Sequence, residues 1–309
     1  MTENLRIVSL LPSATEIIAA LGLVDCLVGR SHECDYPAEV VHLPACTEPK
    51  FSPEGSSGDI HHRVMDVLQS ALSVYRVDTK LLQQLQPTHI ITQAQCEVCA
   101  VSLSDVEQAV ATLTQVKPQI ISLQPQILAD VWQDMERVAT HLGVSAEAAI
   151  ASLKQRVVQC QQQTVDLPEA ERPSVICIEW VEPLMAAGNW IPELVHLAGG
   201  RSLYGMAGQH SPWISSDLLQ DLDPDVILFM PCGFDLHRTR RDASQLAQAP
   251  WWNTLRAVQQ GRVYLTDGNQ YFNRSGPRLV DSLEILAEIL HPEHLNYGYE
   301  GIGWIHWQD

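Results

Sequence analysis

Cys96 and Cys99 form a C-x-x-C pair in "THIITQAQCEVCAVSLSDVEQAV" (88–110), just past a short apolar run. Thiolate and imidazole are the donors that zinc and iron–sulfur centres select. One C-x-x-C is half of a zinc knuckle, so a metal would need more donors, and His32, Cys34 and Cys232 are the candidates. On that reading the metal set is Cys34, Cys96, Cys99 and Cys232. A second chemistry is direct contact, with a thiolate or the His32 imidazole meeting the metal of a bound chelate. A free thiol ionises at about pH 8.5, so the helix expected after Ser102 would have to favour the thiolate. The third reading is packing, since cysteine is commonly buried as a small apolar residue. The residues leave all three open. The chain has no P-loop, no G-x-S-x-G elbow and no H-E-x-x-H. His61 and His62 beside Asp59 read as a solvated helix start.

The elements that would position these groups alternate. "RIVSLL", "CLVGRS", "THIITQ" and "QIISLQ" read as strands in the first half. Helices are expected at Ser13–Leu21, with Ser13 and Glu16 as a capping box, and at His61–Leu72. Others are expected at "DTKLLQQL", after Ser102, and at Ile127–Leu142. "ACTEPKFSPEGSSGD" reads as loop. Ser145–Thr164 lacks Gly and Pro and reads as one helix of about five turns. Beyond the polar "VDLPEAERP" the alternation restarts with "SVICIEW", "DVILFM" and "RVYLTD" as strands. Helices are expected there at Trp190–Ala198, Ser215–Gln220, Ala243–Gln248 and Pro277–Leu290. The expectation is an α/β protein of two three-layer lobes with mostly parallel sheets, joined by a single long α-helix. The domains are 1–142, a linking helix within 143–166, and 167–309 with its aromatic tail, and the ligand cleft falls between the lobes.

Composition narrows the partners. Hydrophobic residues make up 46% and charged residues 18% of the 309, so the chain can bury two cores. Acidic residues outnumber basic ones 37 to 19, a net charge of −18 that disfavours nucleic acid. No run approaches the roughly 18 apolar residues of a membrane span. "MTENLRIVSLLPSATEIIAALGL" has no basic start, and Pro12 and Glu16 interrupt its apolar run, so it reads as strand and helix rather than a signal peptide. The expected compartment is therefore the cytoplasm, where structural disulfides among the eight cysteines would be rare.

In parallel sheets, ligands bind beyond the carboxyl ends of the strands. The loops there are "LPSATE", "SHECDYP", the cysteine loop, "VEPLMAAGNW", "PCGFDLHRTRRD" and "GNQYFNRSGPR". With "SPWISSDLL" they supply Ser13, His32, Tyr36, Trp180, Trp190, Trp213, Cys232, Tyr271 and Phe272. The aromatics among them suit a large flat ligand with polar edges.

Six stretches in this order, "RIVSLLPSATEIIAALGL", "SHECDYP", "GNWIPELVHLAGG", "SPWISSDLL", "DPDVILF" and "YFNRSGPRLVD", resemble the substrate-binding proteins of cobalamin and iron-siderophore ABC importers. The resemblance spans essentially the whole chain. It implies a non-enzymatic protein of two α/β lobes bridged by a rigid helix, holding a corrinoid or related metal chelate as carrier or transport receptor. An ABC permease is the implied partner. By motif, the implied contacts are Pro12, Tyr36, Trp180, Trp213, Phe272 and Arg274, with Gln270 where the family carries an acid. The alternative from the cysteines is an enzyme or sensor built on a zinc or iron–sulfur centre.

Overall fold

The computed structural model describes residues 4–70, 74–94, 102–111, 113 and 117–308. They fall into two compact units. The first is drawn from Met1–Gly55, Asp59–Pro125 and Ala129–Ala151, the second from Ser56–Gly58, Gln126–Leu128 and Ser152–Asp309.

The first unit contains β1 (Ile7–Ser9), α1 (Pro12–Ala20), β2 (Leu27–Arg30), β3 (Thr47–Pro49) and the body of α2 (Ser57–Ser70). There follow β4 (Tyr75–Val77), α3 (Thr79–Leu85), β5 (His89–Gln93), α4 (Leu103–Ala111), β6 (Gln119–Leu123) and most of α5 (Leu128–Leu142). Its main sheet runs β2-β1-β5-β6 and every pairing is parallel. Ile7, Val8, Ile90 and Ile91 are fully buried, as expected of parallel strands covered on both faces. Leu128, Val131, Trp132, Met135, Val138, Ala139 and Leu142 are the buried stripe of α5, at the three- and four-residue spacing of an amphipathic helix.

Three sequence expectations are corrected in this unit. The capping box does not form: the cap of α1 is Leu11, in extended backbone with no side-chain bond, and Pro12 occupies the first turn. Proline's missing N–H and fixed φ suit that position, which places Ser13 inside the helix and buries it. The stretch read as loop around Thr47 is β3, which pairs antiparallel with β4 in a separate small sheet, Thr47 opposite Val77 and Pro49 opposite Tyr75. Helix α2 begins at Ser57, a turn before His61.

Helix α6 (Glu147–Thr164) starts in the first unit and ends in the second, the division falling between Ala151 and Ser152. The second unit continues with β7 (Ser174–Trp180), β8 (Met185–Ala186), α7 (Ile191–Leu197), β9 (Arg201–Ser202), α8 (Ser216–Leu222) and β10 (Val226–Phe229). It closes with α9 (Leu236–Leu246), α10 (Arg256–Gln259), β11 (Val263–Thr266), α11 (Leu279–Leu290) and β12 (Trp304–His306). The sheet runs β12-β11-β10-β7-β8, with β9 paired to β7. β7, β10 and β11 are mutually parallel, while β8 and β12 are antiparallel additions at the two edges. The aromatic tail is thus the edge strand β12.

Arg156 of α6 clamps the helix to α11. Its guanidinium reaches Glu284 Oε2 and Asp281 Oδ1, both at 2.6 Å. The helix expected at Ala243–Gln248 is α9, which starts at Leu236 because the Asp235 side chain accepts from the Arg238 backbone N–H at 2.8 Å. Its surface is so charged that the apolar rhythm, carried by Thr239, Ala243 and Leu246, is faint.

One buried acid in the first unit sets a pH dependence. Burial pushes the Asp134 carboxyl up to about 6, against the Arg137 guanidinium at 2.8 Å. The folded state therefore holds this proton more tightly than the unfolded chain, whose aspartate titrates near about 3.9. The stability it contributes is full below that pH and is lost as pH rises through about 6. In Asp134→Asn, urea unfolding should show a smaller loss of stability between pH 4 and pH 7 than the parent, by on the order of 2 kcal/mol. Equal slopes would remove Asp134 as the source.

Candidate functional site

In the first unit the candidates Pro12 and Ser13 open α1, which follows β1, and His32, Cys34 and Tyr36 lie on the loop leaving β2. Arg30 fixes that loop at both ends, donating to Ser31 O at 2.9 Å and to Val41 O at 2.8 Å. The His32 backbone N–H donates to Thr47 Oγ1 at 3.1 Å, and Nδ1 of the ring lies 2.8 Å from the same oxygen. Thr47 Oγ1 in turn donates to Ser31 Oγ at 3.0 Å. The imidazole leans on the Tyr75 ring, centroids 5.4 Å apart, and the Tyr75 hydroxyl donates to Glu33 Oε1 at 3.1 Å. Burial, and then the Arg30 guanidinium, lower the His32 pKa below the ordinary histidine value. Tyr36 is 44% exposed.

Cys34 is differently placed. It is 1% exposed, and the Thr15 hydroxyl stands 3.0 Å from its sulfur and 2.8 Å from Ser9 Oγ. Cys96 and Cys99 lie outside the described residues. Burial raises the thiol pKa of Cys46 to about 12 and of Cys160 to about 11, which keeps both sulfurs protonated and inert.

In the second unit the carboxyl ends of β7, β10 and β11 open into the loops predicted to bind ligand. Trp180 ends β7, half-buried and tilted against Phe234 at 5.5 Å. Trp180 pairs with Met185, and Met185 bridges to Trp213, so both indoles belong to this end of β7. Trp213 is 55% exposed, yet its backbone is fastened on both sides: Ala186 N donates to Pro212 O and Ile214 N to Leu184 O, each at 3.0 Å. Ser211 supports the same segment, accepting from Gly188 N at 3.0 Å and donating to Glu179 Oε2 at 2.7 Å. A Cβ at Gly188 would lie 2.5 Å from Gln209 O, so the close approach needs glycine there. Burial raises the Glu179 carboxyl pKa.

The other aromatics turn inward. Trp190 is buried and its Nε1 donates to Phe272 O at 2.6 Å. Phe272 is fully buried with φ +63°, its N–H donated to Ser282 Oγ at 2.9 Å. Tyr271 is buried against Tyr299, centroids 6.0 Å apart, with Arg278 over its ring. All three rings pack within the second unit. Arg274 is also buried and donates to Asn269 Oδ1 at 3.2 Å. Gln270 is held by Asp267, whose Oδ1 accepts its backbone N–H at 2.8 Å. Cys232 is exposed on the loop after β10. Sequence reading missed Thr47, Tyr75, Ser211 and Glu179, which act only through partners distant in the chain.

Among the described residues, no group of three or more His, Cys, Asp and Glu could hold a metal ion. The proposed metal set of Cys34, Cys96, Cys99 and Cys232 therefore has no described geometry behind it, and Cys34 is enclosed by the core. Also among the described residues, no helix is long and apolar enough to cross a membrane.

The chain thus has two α/β units, connected in sequence through α6, with aromatic side chains on strand-end loops. The chain belongs to the periplasmic binding protein family, whose model matches residues 7–270, and members of that family bind substrates for transport. An uncharacterised ABC transporter substrate-binding lipoprotein of Bacillus subtilis is 24% identical over 299 residues, 94% of this chain and 81% of its own. A vitamin B12-binding protein of Vibrio cholerae is 24% identical over 295 residues, 92% of this chain and 88% of its own. Among solved structures, the periplasmic vitamin B12 binding protein of Vibrio cholerae superposes with TM-score 0.64 at 21% identity, covering 93% of this chain and 96% of that one. A periplasmic heme binding protein from Pseudomonas aeruginosa gives TM-score 0.69 at 21% identity, covering 94% and 93%.

These relatives overturn the cytoplasmic expectation, for they are lipoproteins or periplasmic proteins. The physical reason is plain in the first sheet. The apolar run weighed as a leader is β1 and α1, central core of the unit, so its character carries no information about compartment. The enzyme built on a zinc or iron–sulfur centre finds no support either, in the family or in the described side chains.

Proposed function

We propose that this chain is the receptor component of an ABC importer and that its ligand is a planar metal chelate of the corrinoid type. One observation carries the reading: large aromatic side chains stand exposed on loops whose backbones are firmly hydrogen-bonded. Trp213 and Tyr36 are 55% and 44% exposed, and Trp180 is half-buried, its backbone paired with Met185, which also bridges to Trp213. Rigid aromatic surface with polar neighbours suits a flat apolar ring system carrying polar edges. Relatives named for vitamin B12 and heme support the same ligand class. Pro12, Ser13, His32 and Tyr36 are the contacts we assign to the first unit, and Trp180, Trp213 and Cys232 those of the second. We read the domains as 1–142, a linking helix within 143–166, and 167–309. The partner is then an ABC permease.

The test is an equilibrium titration of the purified protein with cyanocobalamin and, separately, with ferric haem, followed by quenching of tryptophan emission. Saturable binding of either at micromolar concentration or below is expected. Saturation by cyanocobalamin selects the corrinoid over the porphyrin. Absence of binding to both would sink the reading.

A further inference from the structure

His32 is wired differently from the other polar groups on the strand-end loops. One oxygen, Thr47 Oγ1, serves both its backbone N–H at 3.1 Å and its ring Nδ1 at 2.8 Å. Thr47 has a single hydroxyl hydrogen, and Ser31 Oγ stands 3.0 Å away to receive it. The threonine oxygen is then left as acceptor for the His32 ring, which places the ring proton on Nδ1 and the lone pair on Nε2. Thr47 and Ser31 are both buried, so neither loses its bond to solvent. The Tyr75 ring at 5.4 Å and the two Arg30 hydrogen bonds hold the imidazole and its loop in place. An imidazole whose Nδ1 is fixed by a buried donor–acceptor chain is the arrangement found around metal-ligating histidines. Cys34, two residues on, offers no such donor, because its sulfur is enclosed with the Thr15 hydroxyl at 3.0 Å.

We propose that His32 Nε2 coordinates the metal at the centre of the chelate, and that Thr47 is the positioning residue that sets its tautomer and direction. This rests on the chelate reading above. The step is a ligand exchange: the Nε2 lone pair forms a metal–nitrogen bond as a metal–water bond breaks and the water leaves, with no electron or net proton transferred. Imidazole is a suitable donor for the cobalt of a corrin and for the iron of a haem alike.

The experiment compares two corrinoids that differ in whether an axial site is exchangeable, with a porphyrin alongside. Cyanocobalamin has both axial positions filled, aquocobalamin carries a displaceable water, and ferric haem supplies the porphyrin arm. The parent is expected to shift the visible bands of aquocobalamin or the Soret band of haem on binding. For the coordinating chelate, His32→Ala should abolish the shift and weaken binding by about tenfold or more. Cyanocobalamin, whose axial sites are filled, should lose less affinity in His32→Ala than the coordinating chelate does. Thr47→Ala should weaken the coordinating chelate by roughly 10- to 100-fold, and Thr47→Ser, which keeps the hydroxyl, should restore it. Thermal melting of each variant shows whether it is folded. If cyanocobalamin binds but neither coordinating chelate gives a shift that depends on His32, the coordination is refuted and the receptor reading survives. If none of the three chelates binds, both fall.

Discussion

Trp213→Ala should cost this protein about 2 kcal/mol of ligand affinity, roughly thirtyfold in Kd, while leaving its unfolding transition unchanged. The asymmetry follows from where the indole stands. More than half of it faces solvent, so deleting it opens no cavity, and surface changes of that kind move stability by about 0.5 kcal/mol or less. Its backbone, however, is held by the flanking bonds of Pro212 and Ile214 and supported by the Ser211–Glu179 contact. An aromatic that is both exposed and already ordered loses little entropy when it stacks on a ligand, which is what makes such residues strong contributors to binding. Titration of parent and variant with cyanocobalamin, alongside thermal melting, checks both halves. Unchanged affinity would remove Trp213 from the site, and a lowered melting point would reassign it to packing.

Trp252→Ala should act the opposite way, destabilising the second unit by about 4 kcal/mol. Trp252 is 2% exposed and ring-packed against Phe229 at 6.0 Å, Trp307 at 6.1 Å and Trp251 at 6.2 Å. It therefore joins the face of β10 to the C-terminal tail within the cluster that includes Ile176, Ile178 and Leu265. Removing it strips contacts from three aromatic rings at once, and the sheet behind Phe229 cannot collapse to fill the space. Urea unfolding followed by circular dichroism should show a transition at lower denaturant with the first unit little affected, since none of these partners lies in it. A loss below about 1 kcal/mol would mean that the cluster repacks, contrary to expectation.

The alternation of strand and helix was legible in the sequence because its cause is local. Strands such as Val226–Phe229 are buried on both faces and must be apolar throughout. The helix of Glu147–Thr164 was legible for a similar reason, an uninterrupted run of helix formers. The ordered motifs that resemble cobalamin and siderophore receptors pointed to the family that the match over residues 7–270 establishes. The first cap was misread because Ser13 and Glu16 have the right spacing, while Pro12, one residue earlier, was the stronger local determinant.

What lay beyond the sequence was every feature that depends on a distant partner. Thr47 and Tyr75 lie on the two strands of a sheet separated in the chain by α2, and no period in either stretch announces the pairing of those strands. His32 could be named as a candidate from its type and place, but the hydrogen-bond chain that orients its ring comes from those residues. The loop after β11 makes the same point in the other direction. Tyr271 and Phe272 looked like ligand-facing aromatics by position, yet the left-handed backbone at Phe272 and its bond to Ser282 turn the chain so that both rings enter the core. Composition and order along the chain therefore determined the class of fold and the class of protein. Which aromatic faces solvent, which sulfur is enclosed and which imidazole is held ready were decided by tertiary structure, because burial and hydrogen bonding are set by neighbours that the chain brings together only when it folds.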